Sequence, residues 1–243
     1  MHRGTFRSAT LGLVLGVMAA LGTSGCDGEG FKLGTDQQSS APDAAAKSVL
    51  DTSKIQQGWA CNTKCNKKIK PTAVLLHWWG NDGSGGIDGL VNGLNSVPTT
   101  FDPSLKSTDK HPENGHTSVQ VGVDLNGKAY QLTPTLDTFA RHGTCANDWT
   151  VGVEIAGSKP GSGSYIGDNE KQFKGVVAVV RELMATYDIP AKSVVGPNAR
   201  SGSGIVSHHT VDAKCTWKDG VRFGSGKTDV GQEYLDRVLA AVR

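Results

Sequence analysis

The pattern of apolar and polar positions beyond residue 86 predicts three helices. The strongest follows Asp168 or Asn169, which can cap its first turn, and ends before Pro190. A last helix is predicted over residues 232–242, and a weaker one over 87–97, where two glycines lower helix propensity by about 1 kcal/mol each relative to Ala. The strongest helix repeats its apolar residues at a spacing of three or four: Phe173, Val176, Val177, Val180, Leu183, Met184 and Tyr187.

Four other segments have the pattern of β-strands. The first is apolar on both faces, as expected in the middle of a sheet, and His77 lies at its end. The second and third flank an Asn126-Gly127 turn, which is typical of a hairpin. In the fourth, Glu154 faces away from the more apolar side. The predicted strands are residues 72–78, 118–124, 128–133 and 149–156. Strands interspersed with helices predict an α/β fold, a single domain with a central mixed β-sheet flanked by helices.

Residues 1–26 have the features of an export signal. Positively charged residues precede an apolar run over 11–21, which is too short for an ordinary membrane-spanning helix of about 20 residues. The small residues before Cys26 resemble the lipobox of bacterial lipoproteins, in which that cysteine is lipidated, although Thr23 stands where Leu is usual. We therefore expect an exported protein of the bacterial cell envelope, either anchored to the membrane by a lipid at Cys26 or freely secreted.

Residues 27–52 are predicted to be a flexible linker, which leaves 53–243 as the folded domain. The linker is mostly small and polar, so it cannot bury enough apolar surface to offset the entropy of ordering. If Cys26 carries a lipid, the other four cysteines form an even set for disulfides in an oxidising compartment. Three pairings are open, and we favour Cys61–Cys65 and Cys145–Cys215.

Composition excludes two classes of protein. The 243 residues are 37% hydrophobic and 20% charged, with a net charge of +2. These values are unlike those of a disordered chain or a polybasic nucleic-acid binder, so we expect no nucleic-acid partner. We expect a monomer.

Two separated histidines and a late aspartate are candidate ligands of Zn²⁺. His77 ends a strand, Asp229 lies near the C-terminus, and either His208 or His209 can supply the second imidazole, because adjacent side chains point in different directions. Catalytic zinc has three protein ligands and an open fourth position, where the pKa of water falls to about 7. This chemistry predicts amide hydrolysis.

Five motifs follow one another between residues 71 and 243. They are Val74-Leu75-Leu76-His77; Asp124-Leu125-Asn126-Gly127 with Tyr130-Gln131-Leu132; Arg141-His142-Gly143 with Asn147 and Thr150-Val151-Gly152-Val153-Glu154; Ser207-His208; and Lys227-Thr228-Asp229-Val230-Gly231. In this order the motifs resemble those of the zinc-dependent N-acetylmuramoyl-L-alanine amidases of the amidase-2 class. These enzymes are relatives of the peptidoglycan recognition proteins and of phage amidase endolysins.

The resemblance implies a role for each motif residue. The zinc ligands would be His77, His208 and Asp229, with Glu154 as base and acid and Lys227 as the stabiliser of the oxyanion. His142, Trp78 and Asn147 would contact substrate or support the site. The chain departs from the family at Val119, Gln120 and Val230, and in a third motif that reads Arg141-His142-Gly143 with Cys145 close by. These changes affect the expected substrate contacts more than the metal.

The implied activity is hydrolysis of the amide bond between N-acetylmuramic acid and L-alanine in peptidoglycan. Two alternatives stay open. One is a peptidoglycan-binding module without turnover, which typically lacks a metal ligand. The other is a zinc peptidase that cuts within the stem peptide and differs only in the bond placed at the metal.

Overall fold

A computed structural model describes residues 47–56, 67–80, 83–96, 117–157, 165–215 and 228–243. The predicted export signal, the lipobox cysteine Cys26 and most of the predicted linker lie outside these ranges. Among the helices in these ranges, none is long and apolar enough to cross a membrane.

A six-stranded mixed sheet forms the centre of the fold. Its strands are β1 (Leu50–Asp51), β2 (Ala73–Trp78), β3 (Val121–Val123), β4 (Ala129–Gln131), β5 (Thr150–Ile155) and β6 (Gly204–Ser207), in the order β1-β4-β3-β5-β2-β6. Strands β3, β5, β2 and β6 are parallel, whereas β4 pairs antiparallel to β3. The predicted hairpin is β3–β4, and Gly127 adopts a φ of 75° in its turn.

Four helices accompany the sheet. They are α1 (Gly86–Ser96), α2 (Glu170–Tyr187), α3 (His208–Lys214) and α4 (Gln232–Val242). The side chain of Asn169 caps α2 by accepting the Gln172 N–H at 3.1 Å, as the sequence predicts. Strand β6 and helix α3 were not predicted, because elements of four and seven residues are too short to show a clear period. The prediction of an α/β domain with a mixed sheet is confirmed.

Apolar side chains fill both faces of the sheet. One face of β5 presents Val151, Val153 and Ile155 to a large buried cluster that includes residues of α2 and α4. The opposite face contributes residues such as Leu75 to a smaller cluster that also contains Val211 of α3. A third cluster joins α1 to the β3–β4 hairpin. The sheet is therefore covered on both sides, as parallel strands require.

The folded part of the chain begins earlier than the predicted boundary at residue 53. Leu50 is buried and pairs with Ala129, so β1 adds a strand to the edge of the sheet. The preceding backbone is also held, because the Val49 N–H donates to the Glu182 carboxylate at 2.7 Å. The last residues of the predicted linker therefore belong to the domain.

Candidate functional site

Two histidines lie at the carboxyl edge of the parallel strands. Strands β2 and β6 are neighbours, and their register pairs Leu76 with Ser207. His77 and His208, the next residues in each chain segment, therefore come side by side. The Ser207 hydroxyl accepts the Thr210 N–H at 3.1 Å and caps α3, so the chain turns into a helix directly at His208. In parallel sheets this edge is the usual position of binding sites.

Asp229 reaches the same edge from the segment before α4. The side chain of Val230 is fully buried in the cluster with α2 and α4, which anchors this segment. The carbonyl oxygen of Asp229 also accepts the His209 N–H at 2.6 Å, which ties the segment to the start of α3. The sequence left His208 and His209 open as ligands. The structure places the His208 ring beside Asp229 and leaves His209 exposed.

Three candidate ligand atoms converge in this site. The Nδ1 atoms of His77 and His208 are 3.0 Å apart, and the Asp229 Oδ2 lies 3.3 Å from the first and 3.4 Å from the second. Ligands bonded at 2.0–2.1 Å to a tetrahedral Zn²⁺ are about 3.3 Å from one another, so the spacing fits this ion. A single proton can join only two of the three atoms, whereas a cation accepts a lone pair from each.

The site is buried, and this controls its protonation. All three ligand residues are at most 6% exposed. Burial alone would raise the pKa of Asp229, but hydrogen bonds and charge interactions with His208 and His77 outweigh it and lower the pKa. Burial, and then the neighbouring His77 and His208, lower the pKa of His142 well below its usual value. At neutral pH the site therefore holds a carboxylate ion, and the ring of His142 beside it is neutral.

Glu154 lies on the strand next to His77. The register of β2 and β5 pairs His77 with Glu154, and paired residues on parallel strands project from the same face. The Glu154 side chain is buried, on the face opposite Val153 and Ile155 as the sequence predicts. A buried carboxyl group on the strand adjacent to the histidines is suitably placed for proton transfer.

The segment after His142 supports the site from one side. The Asn147 Oδ1 accepts the backbone N–H groups of His142 at 3.0 Å and of Gly143 at 2.7 Å, so this oxygen has a structural role. Cys145 and Cys215 form a disulfide, which is the favoured pairing and links this segment to the end of α3. The elements that carry His142 and His208 are thus joined covalently.

The remaining predicted residues are less close to the histidines or lie outside the described residues. Trp78 is half-buried and packs against the cluster with α2 and α4, on the face opposite His77. Trp79, the next residue, packs against the α1 cluster. Four predicted site residues lie outside the described part of the chain: Cys26, Cys61, Cys65 and Lys227.

Two buried polar residues near the site were missed by sequence analysis. Asp212 is fully buried on α3 and accepts a hydrogen bond from the Thr144 hydroxyl at 3.3 Å. Its position four residues after His208, on the same side of a short helix, was the available signal. Gln120 accepts the Gly152 N–H at 2.7 Å and donates to the Thr138 carbonyl at 2.9 Å. The sequence marked Gln120 only as a departure from the family.

A family model described as N-acetylmuramoyl-L-alanine amidase matches residues 67–232. The chain belongs to this amidase family. The matched range contains His77, Glu154, His208 and Asp229, and the enzyme class of the chain is that of a peptidoglycan amidase. Among curated proteins, none matches this sequence.

Several solved structures are similar to this one. The PlyG catalytic domain is 21% identical, with a TM-score of 0.49, and the match covers 79% of this chain and 94% of that one. The catalytic domain of XlyA is 18% identical, with a TM-score of 0.45 and coverages of 78% and 99%. The hydrolase AmiA of Staphylococcus aureus is 14% identical, with a TM-score of 0.45 and coverages of 79% and 85%.

Proposed function

We propose that this amidase is zinc-dependent and hydrolyses the bond between the lactyl group of N-acetylmuramic acid and L-alanine. The observation that carries the proposal is the triangle of ligand atoms, with sides of 3.0, 3.3 and 3.4 Å, formed by His77, His208 and Asp229. Its spacing and its two nitrogens and one oxygen match the three-ligand sites of catalytic zinc.

The three ligands would hold the ion and leave it reactive. Two neutral imidazoles and one carboxylate offset only one of its two positive charges. When bound, zinc would polarise the scissile carbonyl and acidify water. Because His77 and His208 directly follow Leu76 and Ser207, the last residue pair of two adjacent strands, the rigid sheet fixes their separation before any metal arrives.

Glu154 would move the proton. Its carboxylate would accept a proton from the attacking water and return it to the leaving amide nitrogen, which becomes the amino group of L-alanine. Burial supports this role, because bulk water is kept away from the proton while it passes from the attacking water to the leaving group. Lys227, two residues before Asp229, would stabilise the negative charge that grows on the carbonyl oxygen.

We also propose that the enzyme acts outside the cytoplasm, with peptidoglycan or its fragments as substrate. The proposal rests on the positively charged residues at the N-terminus, the apolar run over 11–21 and the small residues before Cys26. These features are compatible with a lipid anchor at Cys26 or with free secretion. Labelling with a radioactive fatty acid, in the wild-type protein and in Cys26→Ala, would separate the two. Label on the wild type alone indicates an anchor.

Digestion of defined muropeptides tests the reaction. We expect mass spectrometry to find the intact stem peptide with a free L-alanine amino group, and a chelator to stop its release until Zn²⁺ is restored. Fragments cut within the stem peptide would instead show a peptidase. Binding without any fragment would show a module that lacks turnover.

Substitution of the proposed base gives a second test. Glu154→Gln should lower the rate about 10²–10⁴-fold while zinc still binds, because the amide cannot accept the proton. Glu233→Gln on the exposed surface of α4 is the matched control and should leave the rate unchanged. Full activity of Glu154→Gln would exclude the proposed base.

A further inference from the structure

The second nitrogen of the His77 ring meets another histidine. The His77 Nδ1 belongs to the ligand triangle, and its Nε2, on the other side of the ring, lies 3.1 Å from the His142 Nδ1. The two rings are nearly perpendicular, with an interplanar angle of 85°. If Nδ1 gives its lone pair to a metal, the only proton of the neutral His77 ring is on Nε2. That N–H then donates to the His142 Nδ1.

Contacts with the backbone of β5 hold the His142 ring in place. A Cβ atom placed on Gly152 would lie only 2.6 Å from the His142 Nδ1, so the ring rests directly on the backbone of β5. Gln120 holds that backbone by accepting the Gly152 N–H, and Asn147 holds the His142 backbone N–H. The β5 backbone therefore supports the His142 ring, and Asn147 holds the His142 backbone.

The two ligand histidines differ in this respect. The His208 Nε2 is buried and has no hydrogen-bond partner within the described part of the chain, and the same holds for the His142 Nε2, which carries the ring proton when Nδ1 accepts. His77 is thus the ligand whose ring is oriented through its second nitrogen. In metal sites such outer contacts fix the tautomer of the ligating histidine and increase its basicity.

We propose that His142 is a positioning residue: by accepting the His77 Nε2–H, it keeps the His77 Nδ1 unprotonated and aimed at the metal. The proposal rests on the zinc site of the proposed function. It adds a third histidine, His142, which does not touch the ion. The partner of a metal-bound histidine is commonly a carboxylate or a carbonyl group. A neutral imidazole as the acceptor distinguishes this site from that common arrangement.

Two substitutions of His142 test whether its Nδ1 acts as a hydrogen-bond acceptor. His142→Leu fills the space of the ring but has no acceptor atom, whereas His142→Asn keeps an acceptor oxygen near the position of Nδ1. We expect chelator competition to show Zn²⁺ affinity lowered about 10–100-fold in His142→Leu and largely restored in His142→Asn. Unchanged affinity in His142→Leu would overturn the proposal. Equal losses in both variants would also overturn it, because packing alone would then explain them.

A measurement on the wild-type protein does not depend on whether the His142 variants fold. In zinc-loaded protein labelled with ¹⁵N-histidine, we expect the His77 proton on Nε2 and a coupling through the hydrogen bond to the His142 Nδ1. A proton on the His77 Nδ1, or no coupling, would contradict the proposal while leaving zinc dependence intact. Failure of the wild type to bind Zn²⁺ would instead contradict the proposed function and the positioning role together.

Discussion

The two faces of the sheet are built from different kinds of contact. The face covered by α2 and α4 is almost wholly apolar and contains the largest cluster of the molecule. The other face buries polar and charged groups beside smaller apolar clusters, and they include His77, Gln120, His142, Glu154 and Asp212. Burial of apolar surface stabilises a fold without directional requirements, whereas each buried polar group needs a partner. The apolar face therefore holds the sheet in place, and the polar face uses that rigidity to arrange reactive groups.

Removal of the disulfide should have the largest effect on folding, because it closes a loop of 70 residues on the polar face. We expect Cys145→Ala with Cys215→Ala to lower the free energy of unfolding by about 4 kcal/mol, as measured by urea denaturation. Zinc affinity should also fall, since the bridge joins the segments of His142 and His208. Equal zinc affinity with and without the bridge would show that the two segments are held by other contacts.

Leu183→Ala tests the apolar face alone. Leu183 has no exposed surface and lies in the cluster of α2, so its truncation should cost about 3 kcal/mol of unfolding free energy. Zinc affinity of the folded protein should stay at the wild-type value, because the cavity lies across the sheet from the ligands. Lys174→Ala, at an exposed position of the same helix, is the control and should change stability by less than about 0.5 kcal/mol. A loss of zinc affinity in Leu183→Ala would contradict the division between the faces.

Gln120→Leu tests the dependence of the polar face on hydrogen bonds. The change leaves the Gly152 N–H and the Thr138 carbonyl without the partners seen here, and we expect a cost of about 2 kcal/mol. Zinc binding should weaken as well, since Gly152 lies beneath the His142 ring. Gln131→Leu on the neighbouring strand removes hydrogen bonds from a less buried position and should cost less than about 1 kcal/mol. A stabilised Gln120→Leu protein would refute the importance of these bonds.

Asn169→Ala should have the smallest effect. It removes the side-chain cap of α2, and a lost cap of this kind costs about 1 kcal/mol of unfolding free energy. Both Asn169→Ala and Asn169→Asp lose the bond from the Asn169 Nδ2 to the Leu125 carbonyl at 2.7 Å, but Asn169→Asp keeps the cap acceptor, so the difference between the two variants measures the cap. Thermal unfolding followed by circular dichroism would measure both variants. An unchanged melting temperature for Asn169→Ala would mean that α2 begins equally well without this cap.

The apolar face was the more predictable of the two. The spacing of its residues predicted α2 and α4, and strand alternation correctly placed Glu154 away from them. The second ligand could not be chosen from the residues alone, because His208 and His209 are adjacent. The pairing of Leu76 with Ser207 places the His208 ring beside Asp229, and this long-range register has no local signal. Trp78 differs, because strand alternation alone places it on the face opposite His77, where it packs against the cluster with α2 and α4.

X-ray absorption at the zinc edge of the loaded protein tests the central claim most directly. We predict one zinc ion for each chain, with two imidazole ligands, further oxygen ligands and all bonds at about 2.0–2.1 Å, and loss of this site in Asp229→Ala. A sulfur ligand at about 2.3 Å, or a protein that retains no zinc, would contradict a metal centre made of His77, His208 and Asp229.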